Sequence, residues 1–303
     1  RSGRARRRTM QVALTGATGF VGSFLTLELQ RQGHDITALV RPGSDRRLLE
    51  QAGATLVEGS LRDETALRRL VEGAAAVIHA AWDWEAQHSP EANWEVNLTP
   101  SFRLLEQCRL AGGVQMLFVS SVAVYGPVIP GHPLDETHPA WPEELYGGSK
   151  AMLEDLLMAY HHQFGMNTSS WRPAAVYGIP PLRPLQASWR DFILAVAAGR
   201  PVDTDAGGSV VSAEDTAHAI VLGIGNPAVA GRNFNLVDTY LYRQTLAEIV
   251  REESGSRAPI TDRVGGAPPR YRVLSDAAWA LGARLDRGLD GIREHVRRVL
   301  AAG

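Results

Sequence analysis

The sequence predicts an α/β protein: a doubly wound parallel sheet followed by a small, mostly helical C-terminal lobe. Short apolar runs rich in β-branched residues alternate with helical stretches from Met10 onward, and six such runs lie within residues 10–178. After residue 178 the alternation loosens, and Pro180, Pro181 and Pro184 interrupt the chain. Strands that alternate with helices of this length form a parallel sheet with helices on both faces.

Each predicted strand of the sheet is a mostly apolar run bounded by turn residues. The six strands are predicted at residues 10–15, 35–40, 55–59, 75–81, 115–121 and 168–177. Two of the helices between them close at Gly33 and Gly165, as helices commonly do. Another helix starts at Ser89–Pro90, and Pro100 should kink it.

The same pattern divides the chain into parts. Residues 10–178 form the predicted sheet domain, and residues 210–237 return to it as a strand, a helix and a further strand. Residues 179–209 and 238–303 form the predicted lobe. Residues 1–9 hold five arginines and no acid, so we expect a disordered basic extension there.

Composition excludes several classes of function. Beyond the extension, 26 basic residues remain against 33 acidic ones, and this acidic balance argues against nucleic-acid binding. No apolar run approaches the ~18 residues that a membrane span needs, so we expect a cytoplasmic protein without a membrane partner. Cys108 is the only cysteine, which rules out an internal disulfide and a cysteine-rich metal site.

Residues 15–22, TGATGFVG, predict a Rossmann-type turn that binds phosphate between the first strand and its helix. Gly16, Gly19 and Gly22 would allow a tight turn and a close approach of backbone to a pyrophosphate, which the helix N-terminus stabilises. The alternative is a plain strand-to-helix turn. Strand, glycines, helix and second strand follow in order within about 30 residues, which favours the binding site.

The end of the second strand should meet the adenosine ribose of a dinucleotide. NAD-binding proteins usually carry an acid there, whereas this chain has Arg41, with Arg46 and Arg47 nearby. An arginine suits a 2′-phosphate by its charge and its planar fork, so NADP is predicted ahead of NAD. The alternative is a solvated arginine in a loop. Asp63, after the third strand, would accept from the adenine amino group or serve as a helix N-terminal charge.

Tyr146 and Lys150, the only lysine, lie four residues apart in the stretch LYGGSK and would share one helix face. A free tyrosine has a pKa near ~10 and is a poor base at neutral pH. A nearby ammonium favours the phenolate, so the pair suggests a tyrosine acid/base. Ser121 ends the fifth strand, where sheet sites lie. The alternative for Lys150 is an ordinary helix-surface lysine.

In this order, TGATGFVG, FVSSVAVYG and YGGSK resemble the extended short-chain dehydrogenase/reductase family, which includes the NAD-dependent epimerases and dehydratases, over residues 10–255. The resemblance implies that Tyr146 moves a proton while a hydride passes to or from nicotinamide, and that Lys150 bonds the nicotinamide ribose. It implies that Ser121, with Ser120 as the alternative, orients the substrate oxygen. Asn97 matches the family's helix asparagine, although this chain has Thr99–Pro100 where the family usually continues with Gly-Thr.

The resemblance and the glycine turn together predict a set of cofactor-binding residues. They are Gly16, Thr18, Gly19, Phe20, Val21, Gly22, Arg41, Leu61, Asp63, Ala80, Ala81, Tyr146, Lys150 and Pro173. Four further residues are predicted to line the substrate: Trp82, Trp84, Ala123 and Ala175. Aromatic side chains there suit an apolar or ring-bearing carbonyl substrate, and the alternative for the tryptophans is core or lid packing.

Several departures from the family's subclasses bear on the reaction. Dehydratases carry an acid pair where this chain has Val122 and Ala123, so dehydration is not expected. Sugar-nucleotide epimerases usually carry an asparagine where this chain has Ala175, and an arginine on the diphosphate where it has Gly208. Another arginine would have to replace the missing contact with the diphosphate, and the candidates are Arg183, Arg190, Arg232 and Arg270.

These observations favour an NAD(P)-dependent oxidoreductase that transfers a hydride between NADP(H) and a carbonyl or secondary alcohol substrate. A nucleotide-sugar epimerase that retains NAD is the alternative, and a non-catalytic dinucleotide-sensing regulator is a further one. The resemblance implies a small-molecule substrate bound by the lobe and a homodimer formed through a helix pair. No metal is expected, because His79, His161 and His162 lack ligand spacing with carboxylates.

Overall fold

The structure is a computed structural model, and it describes residues 9–204, 207–262 and 272–302. The basic extension, apart from Thr9, therefore lies outside the described residues, and so does Arg270.

Strands and helices alternate as the sequence predicts. The strands are β1 Gln11–Thr15, β2 Asp35–Val40, β3 Thr55–Glu58, β4 Ala76–His79, β5 Gln115–Val119, β6 Thr168–Pro173, β7 Ala175–Tyr177, β8 Val202–Thr204, β9 Gly207–Ser212, β10 Arg232–Leu236, β11 Thr239–Tyr242 and β12 Ile260–Asp262. The helices are α1 Phe20–Gln32, α2 Arg47–Gln51, α3 Glu64–Val71, α4 Pro90–Asn93, α5 Thr99–Leu110, α6 Leu145–Phe164, α7 Arg190–Ala197, α8 Ala213–Leu222, α9 Arg243–Ser254, α10 Asp276–Ala280 and α11 Gly288–Ala302.

The main sheet has seven strands in the order β10-β6-β5-β4-β1-β2-β3. β1 pairs in parallel with β2 on one side and with β4 on the other. The strand order therefore reverses direction at β1, and ligands of doubly wound sheets bind at the carboxyl ends of the strands beside such a point. This parallel strand order confirms the predicted fold class. The segments that follow β1, β4 and β5 contain the residues of the predicted site.

The main sheet is buried on both faces, which is why its strands read as nearly continuous apolar runs. In β1, Val12, Ala13 and Leu14 are inaccessible to solvent. Helices on the sheet end where left-handed glycines stop them: Gly33 after α1 has φ 77° and Gly165 after α6 has φ 66°.

The chain forms two compact units. The first comprises residues up to 127, 140–172 and 217–234, and the second comprises residues 128–139, 173–216 and 235–303 as far as they are described. The second unit has a core of its own, formed by side chains of α7, α9 and α11 and of a three-stranded sheet in the order β11-β9-β7. Its two remaining strands, β8 and β12, pair in parallel.

The single strand predicted at residues 168–177 is two strands. β6 ends at Pro173, and β7 pairs with β9 instead, in the register Ala175 with Val210. Pro173 has no amide hydrogen with which to extend a ladder, and the next amide, that of Ala174, donates to the carbonyl of Leu236 at 3.0 Å. Because Leu236 ends β10, this bond is the last to the main sheet, and the backbone leaves that sheet after Ala174.

The helix that was expected to kink at Pro100 is interrupted just before it. α4 passes into a π-helical turn at Trp94–Leu98, and α5 begins at Thr99 with Pro100 in its first turn. A proline is tolerated there because the first amides of a helix have no intrahelical acceptor. π-Helical turns often occur at functional sites, and this one carries Asn97.

Candidate functional site

The glycine turn after β1 is built so that no side chain fills it. Gly16 has φ +72°, and a Cβ atom on it would lie 2.6 Å from the Ala81 amide nitrogen. A Cβ atom on Gly22 would lie 2.0 Å from the Gly16 carbonyl oxygen. The turn is closed by the Gly19 amide, which donates to the Gly16 carbonyl at 2.9 Å, and α1 begins directly after Gly19. This backbone cradle at a helix N-terminus fits a pyrophosphate, as in NAD or NADP.

The remaining predicted cofactor residues of the first unit surround the carboxyl ends of β1, β2, β3 and β4. Thr18, Phe20 and Val21 lie in the glycine turn and the first turn of α1, Leu61 follows β3, and Ala80 and Ala81 follow β4. The Ala81 amide also donates to the Thr15 hydroxyl at 3.3 Å, which ties the end of β4 to that of β1. Pro173 belongs to the second unit.

Arg41 follows β2 directly, and its side chain is 75% exposed. Its guanidinium lies 3.9 Å from the Asp83 carboxylate, at the limit of an ion pair. Arg46 and Arg47 are instead paired with Glu58 and Asp45. Of these three arginines, Arg41 is therefore the one least engaged by carboxylates and best suited to meet a further anion.

Asp63 acts as the N-cap of α3. Its Oδ1 accepts from the amides of Thr65 and Ala66 at 2.9 and 3.1 Å, which is the helix N-terminal role weighed for it from the sequence. A contact of this carboxylate with an adenine amino group remains a proposal.

Ser121, Tyr146 and Lys150 come together in the first unit. Ser121 lies two residues after β5, which ends at Val119 and not at Ser121 as expected, and the other two lie on α6. Tyr146 and Ser121 share a hydrogen bond between their hydroxyl groups. Lys150 Nζ lies 5.7 Å from the centre of the Tyr146 ring and donates to the Val119 carbonyl at 3.0 Å. The Ser121 hydroxyl also accepts from the Ala123 amide at 3.1 Å, which holds it at the start of a 3₁₀ turn. A hydroxyl, a phenol and an amine thus meet at the end of β5.

The Lys150 amine is buried among aromatic rings. Nζ lies 3.9 Å from the centre of a Trp82 ring and 4.7 Å from that of Phe118. Burial lowers the pKa of Lys150 to about 7, and the negative charge of Glu154, one turn along α6, opposes this shift. The helix-surface alternative for Lys150 is therefore wrong, since only 4% of this residue is exposed.

The pKa of Tyr146 differs from the expectation. Burial raises it, and the hydrogen bond from Ser121 offsets only part of the rise. The expected lowering by a neighbouring ammonium is not seen, because burial of the phenol is the largest influence on this pKa. In the protein without cofactor the Tyr146 phenol is therefore held protonated and poised to donate a hydrogen bond.

Trp82 and Trp84 form an aromatic wall against Tyr146. Their ring centres lie 5.8 and 5.2 Å from that of Tyr146. Trp82 is partly buried and donates from Nε1 to the Gln87 side chain at 3.2 Å, whereas Trp84 is 59% exposed. Trp82 therefore packs against the core, which is the packing alternative given for it above. Trp84 instead presents an exposed aromatic face beside the Tyr146 phenol.

Asn97 holds the loop that carries these tryptophans. Its side-chain Oδ1 accepts from the Asp83 amide at 2.8 Å, and its Nδ2 donates to the Asp83 carbonyl at 3.0 Å. Nδ2 also donates to Asn93, whose own Nδ2 donates to the Ser149 hydroxyl at 2.6 Å. We propose a positioning role for Asn97. The sequence analysis identified Asn97 alone, and it did not predict that Asn93 links Asn97 to Ser149 on α6.

The two glycines between Tyr146 and Lys150 differ in their surroundings. A Cβ atom on Gly147 would lie 2.0 Å from the Ala123 carbonyl oxygen, whereas on Gly148 its nearest neighbour would be Pro142 Cγ at 3.8 Å. Gly147 therefore lets α6 approach the turn that follows Ser121, and this approach brings Tyr146 to Ser121.

Replacing Gly147 with alanine should destabilise the protein by about 1–3 kcal/mol, because a buried methyl group would push α6 away from the backbone at Ala123. The activity of the variant should also fall, because Tyr146 lies on α6 and would move away from Ser121 with that helix. Urea unfolding and steady-state rates measure both effects.

The matched variant is Gly148→Ala. Alanine favours a helix over glycine by about 1 kcal/mol, so this variant should be as stable as the native protein or slightly more stable. Equal destabilisation by the two substitutions would show that the close approach at Gly147 does not position the site.

His79, at the end of β4, is engaged in the core. Its Nδ1 and Nε2 lie 2.7 and 2.8 Å from the hydroxyls of Thr15 and Ser101. Burial lowers the pKa of His79 to about 3, so it is neutral. In the described ranges no group of three or more His, Cys, Asp or Glu side chains could hold a metal ion. No described helix is both long and apolar enough to span a membrane.

The second unit contains a cavity of about 200 Å³. Among the described residues, its wall is aromatic and aliphatic, with small residues on the strands and one cationic side chain. The lining residues are Ala175, Trp189, Phe192, Gly207, Gly208, Val210, Leu241, Arg243 and Leu246. Two positions singled out in the sequence, Ala175 and Gly208, thus meet in one cavity.

The cation of this cavity, Arg243, is not among the arginines weighed from the sequence. Of those, Arg190 lies 3.7 Å from Asp191, and Arg232 lies over the Phe234 ring. Arg183 lines no part of this cavity. Arg243 follows β11, whose register opposite β9 no sequence pattern reveals.

Comparisons with known proteins show the family to which the chain belongs. A family model described as the NAD-dependent epimerase/dehydratase family matches residues 12–236. A UDP-glucose 4-epimerase of Corynebacterium glutamicum is 29% identical over 295 residues, covering 89% of this chain and 88% of the relative. The UDP-glucose 4-epimerase of Thermus thermophilus, in complex with NAD, has a TM-score of 0.79 and 26% identity, covering 97% of this chain and 100% of that one.

A third similar structure is the UDP-glucose 4-epimerase of Thermotoga maritima with UDP-glucose, with a TM-score of 0.81. The two chains are 22% identical, and the match covers 97% of this chain and 99% of that one. At that identity the likeness shows the shared fold alone.

Proposed function

Because the chain belongs to the NAD-dependent epimerase/dehydratase family, we propose that it is a nucleotide-sugar 4-epimerase that retains NAD through its reaction cycle. The observation that carries the proposal is the meeting of Ser121, Tyr146 and Lys150 beside a glycine cradle that fits a dinucleotide. UDP-glucose 4-epimerases align with almost the whole chain, which supports this reaction over the carbonyl reduction favoured from the sequence.

The choice of epimerisation over dehydration follows from the residues after Ser121. Elimination of water needs an acid and a base at the neighbouring carbon. Val122 and Ala123 fill the 3₁₀ turn there, and neither can carry a proton. The turn instead serves to hold the Ser121 hydroxyl, through the Ala123 amide.

The residues present fit a bound NAD. Gly16, Gly19 and Gly22 would hold its pyrophosphate against the start of α1, and Lys150 would meet its ribose. The Ser120 hydroxyl is buried without a hydrogen-bond partner in the described part of the chain, so a polar group can be received there. When bound, NAD supplies a reversible hydride acceptor.

In the proposed reaction, Ser121 orients the sugar and Tyr146 moves the proton of its hydroxyl group. Ser121 donates a hydrogen bond to the sugar hydroxyl oxygen. The phenolate form of Tyr146, which the positive charge of bound NAD would favour over the phenol, takes the proton of that hydroxyl as the carbon is oxidised. Tyr146 returns the proton when the carbon is reduced again. Inversion requires that the planar carbonyl be reduced on its other face. The open aromatic face of Trp84 beside Tyr146 allows a sugar ring to be presented either way.

The position of Arg41 favours a second candidate function. Arg41 stands at the end of β2 with an exposed guanidinium, where NAD-binding proteins usually have an acid. This favours an NADP-dependent carbonyl reductase, which would exchange its cofactor at every turnover.

Cofactor content and product analysis separate the two candidates. The proposed epimerase should copurify with NAD, released on denaturation, and convert UDP-glucose or UDP-glucuronate to the 4-epimer without added cofactor. Purified protein that is free of NAD and oxidises NADPH with a carbonyl substrate would refute the proposal. Tenfold or greater preference for NADPH over NADH, lost in Arg41→Ala, would assign Arg41 to a 2′-phosphate.

We also propose a homodimer formed through α5 and α6. Both helices expose large apolar side chains, with Phe102 and Leu110 on α5 and Leu145, Met152 and Phe164 on α6. Such side chains on adjacent helices are typical of an interface. Light scattering should give twice the mass of the chain, and Phe164→Glu with Met152→Glu should give the monomer mass.

A further inference from the structure

The imidazole of His79 lies at the centre of a buried chain of hydrogen bonds. Its Nδ1 lies 2.7 Å from the Thr15 hydroxyl, and its Nε2 lies 2.8 Å from the Ser101 hydroxyl. Beyond Thr15, the Ala81 amide donates to Oγ1 at 3.3 Å. Beyond Ser101, the hydroxyl donates to the Asn97 carbonyl at 2.5 Å. Each ring nitrogen therefore leads, through one hydroxyl, to the backbone of a different segment.

The proton positions in this chain follow from the Asn97 carbonyl, which can only accept. The single hydroxyl hydrogen of Ser101 is directed to that carbonyl, so Ser101 Oγ must accept from the Nε2–H group of His79. Burial and, to a smaller extent, the charge of Lys150 lower the pKa of His79 to about 3, so the ring is neutral. Nδ1 then carries no hydrogen and accepts from the Thr15 hydroxyl.

Both arms of the chain end on the segment that follows β4, residues 80–84. One arm holds this segment by the Ala81 amide. The other arm holds the backbone of Asn97, whose side chain accepts from the Asp83 amide at 2.8 Å and donates to the Asp83 carbonyl at 3.0 Å. His79 is the last residue of β4, so its ring fixes the backbone into which its own strand leads.

Residues 80–84 lie between the two halves of the candidate site. On one side they border the glycine cradle, since a Cβ atom on Gly16 would lie 2.6 Å from the Ala81 amide nitrogen. On the other side they enclose the Lys150 amine, whose Nζ lies 3.9 Å from the centre of a Trp82 ring. A displacement of this segment would therefore disturb the cradle and the surroundings of the amine together.

We propose that His79 is a positioning residue for the nicotinamide cofactor, because its two ring nitrogens hold the backbone of residues 80–84 against the glycine cradle. Burying a polar ring costs free energy unless its nitrogens are hydrogen-bonded, whereas a fully satisfied buried network fixes one arrangement of the groups that it joins. His79 would serve NAD and NADP alike, so this role is independent of the sugar substrate proposed above.

One experiment breaks a single arm and compares it with an equal loss elsewhere in the same unit. Thr15→Val removes the hydroxyl that joins Ala81 to His79 and keeps the shape of the side chain. Thr168→Val is the matched control, because Thr168 is buried at the start of β6 and donates to the Leu157 carbonyl at 2.6 Å. Both variants should lose similar stability in urea unfolding, since each loses one buried hydrogen bond.

The two variants should differ at the site. In Thr15→Val the Ala81 amide should exchange its hydrogen about tenfold faster, because its acceptor is gone, and the dissociation constant of the cofactor should rise about tenfold. Thr168→Val should change neither. Nuclear magnetic resonance of the full chain measures the exchange. Titration with NAD and with NADP, after removal of any bound cofactor, measures the affinity for whichever of the two the native protein binds more tightly.

His79→Asn and His79→Gln separate the two arms. The amide oxygen of asparagine reaches the place of Nδ1 and can accept from Thr15, whereas the amide nitrogen of glutamine reaches the place of Nε2 and can donate to Ser101. The asparagine variant should keep slow exchange at the Ala81 amide and lose it at the Asp83 amide. The glutamine variant should show the reverse.

Nitrogen-15 spectra of the histidine rings test the tautomer directly. The His79 ring should show a protonated Nε2 and an unprotonated Nδ1, with no titration between about pH 5 and 8. The opposite tautomer, equal effects of Thr15→Val and Thr168→Val on cofactor binding, or unchanged amide exchange in both His79 variants would each overturn the inference. The expected pattern in a protein that epimerises no nucleotide sugar would support the role of His79 and refute only the proposed function.

Discussion

Tyr146→Phe should lower the rate of epimerisation by about a hundredfold to ten-thousandfold, the usual contribution of a general acid/base. The substitution removes one oxygen atom and keeps the ring, whose contacts with Trp82 and Trp84 fix its place. Folding should therefore be unchanged. The NAD content should also persist, because the glycine cradle lies on a different segment.

The measurement is kcat at saturating nucleotide sugar, together with the amount of NAD released on denaturation. Tyr160→Phe is the control, because Tyr160 lies on the same helix and its hydroxyl donates to Glu106 at 2.9 Å, away from Ser121. This control should stay within about twofold of the native rate, since it loses one partly buried hydrogen bond and keeps the ring in the core. A Tyr146→Phe variant that is equally active would show that another group moves the proton.

Lys150→Arg should abolish most of the activity while the fold survives. The amine is enclosed by the Val119 carbonyl and by the rings of Trp82 and Phe118. A guanidinium is longer, planar and always charged, so it would displace these rings at a cost of about 1–3 kcal/mol and move away from Tyr146. Steady-state rates and circular dichroism measure activity and fold, and near-native turnover would contradict the role given to Lys150.

A second readout follows the charge of Lys150 through stability. Burial lowers its pKa from 10.5 to about 7, so between these values the unfolded chain binds more protons than the folded protein. Stability of the cofactor-free protein should therefore rise with pH in this window, by at most ~1.4 kcal/mol per pH unit from this group. Lys150→Met should remove that part of the slope between pH 7 and 9, as measured by urea unfolding.

The sequence was sufficient to predict the main sheet, the glycine turn and the Ser–Tyr–Lys group. These features depend on local patterns: apolar runs for buried parallel strands, glycines where a Cβ atom cannot fit, and four-residue spacing on one helix. The helix through Tyr146 and Lys150 shows this best, because Gly147 permits the same helix to dock beside Ser121.

Other features depend on contacts between distant segments, and there the sequence was insufficient. The break between β6 and β7 depends on pairing with β9, about 35 residues later. The raised pKa of Tyr146 depends on how far its own phenol is buried, and distant segments decide that burial. Arg243 enters the cavity only through the antiparallel pairing of β11 with β9.

Deuterium at C4 of UDP-glucose tests the central claim most directly. The proposed epimerase oxidises and reduces the same carbon with a cofactor that stays bound, so the 4-epimer should keep the deuterium when unlabelled NADH and NADPH are present in excess. Mass spectrometry of the product and of the added cofactors measures where the label resides. Deuterium transferred to the added pool, or net oxidation of NADPH with a carbonyl substrate, would contradict the claim and establish an oxidoreductase that exchanges its cofactor.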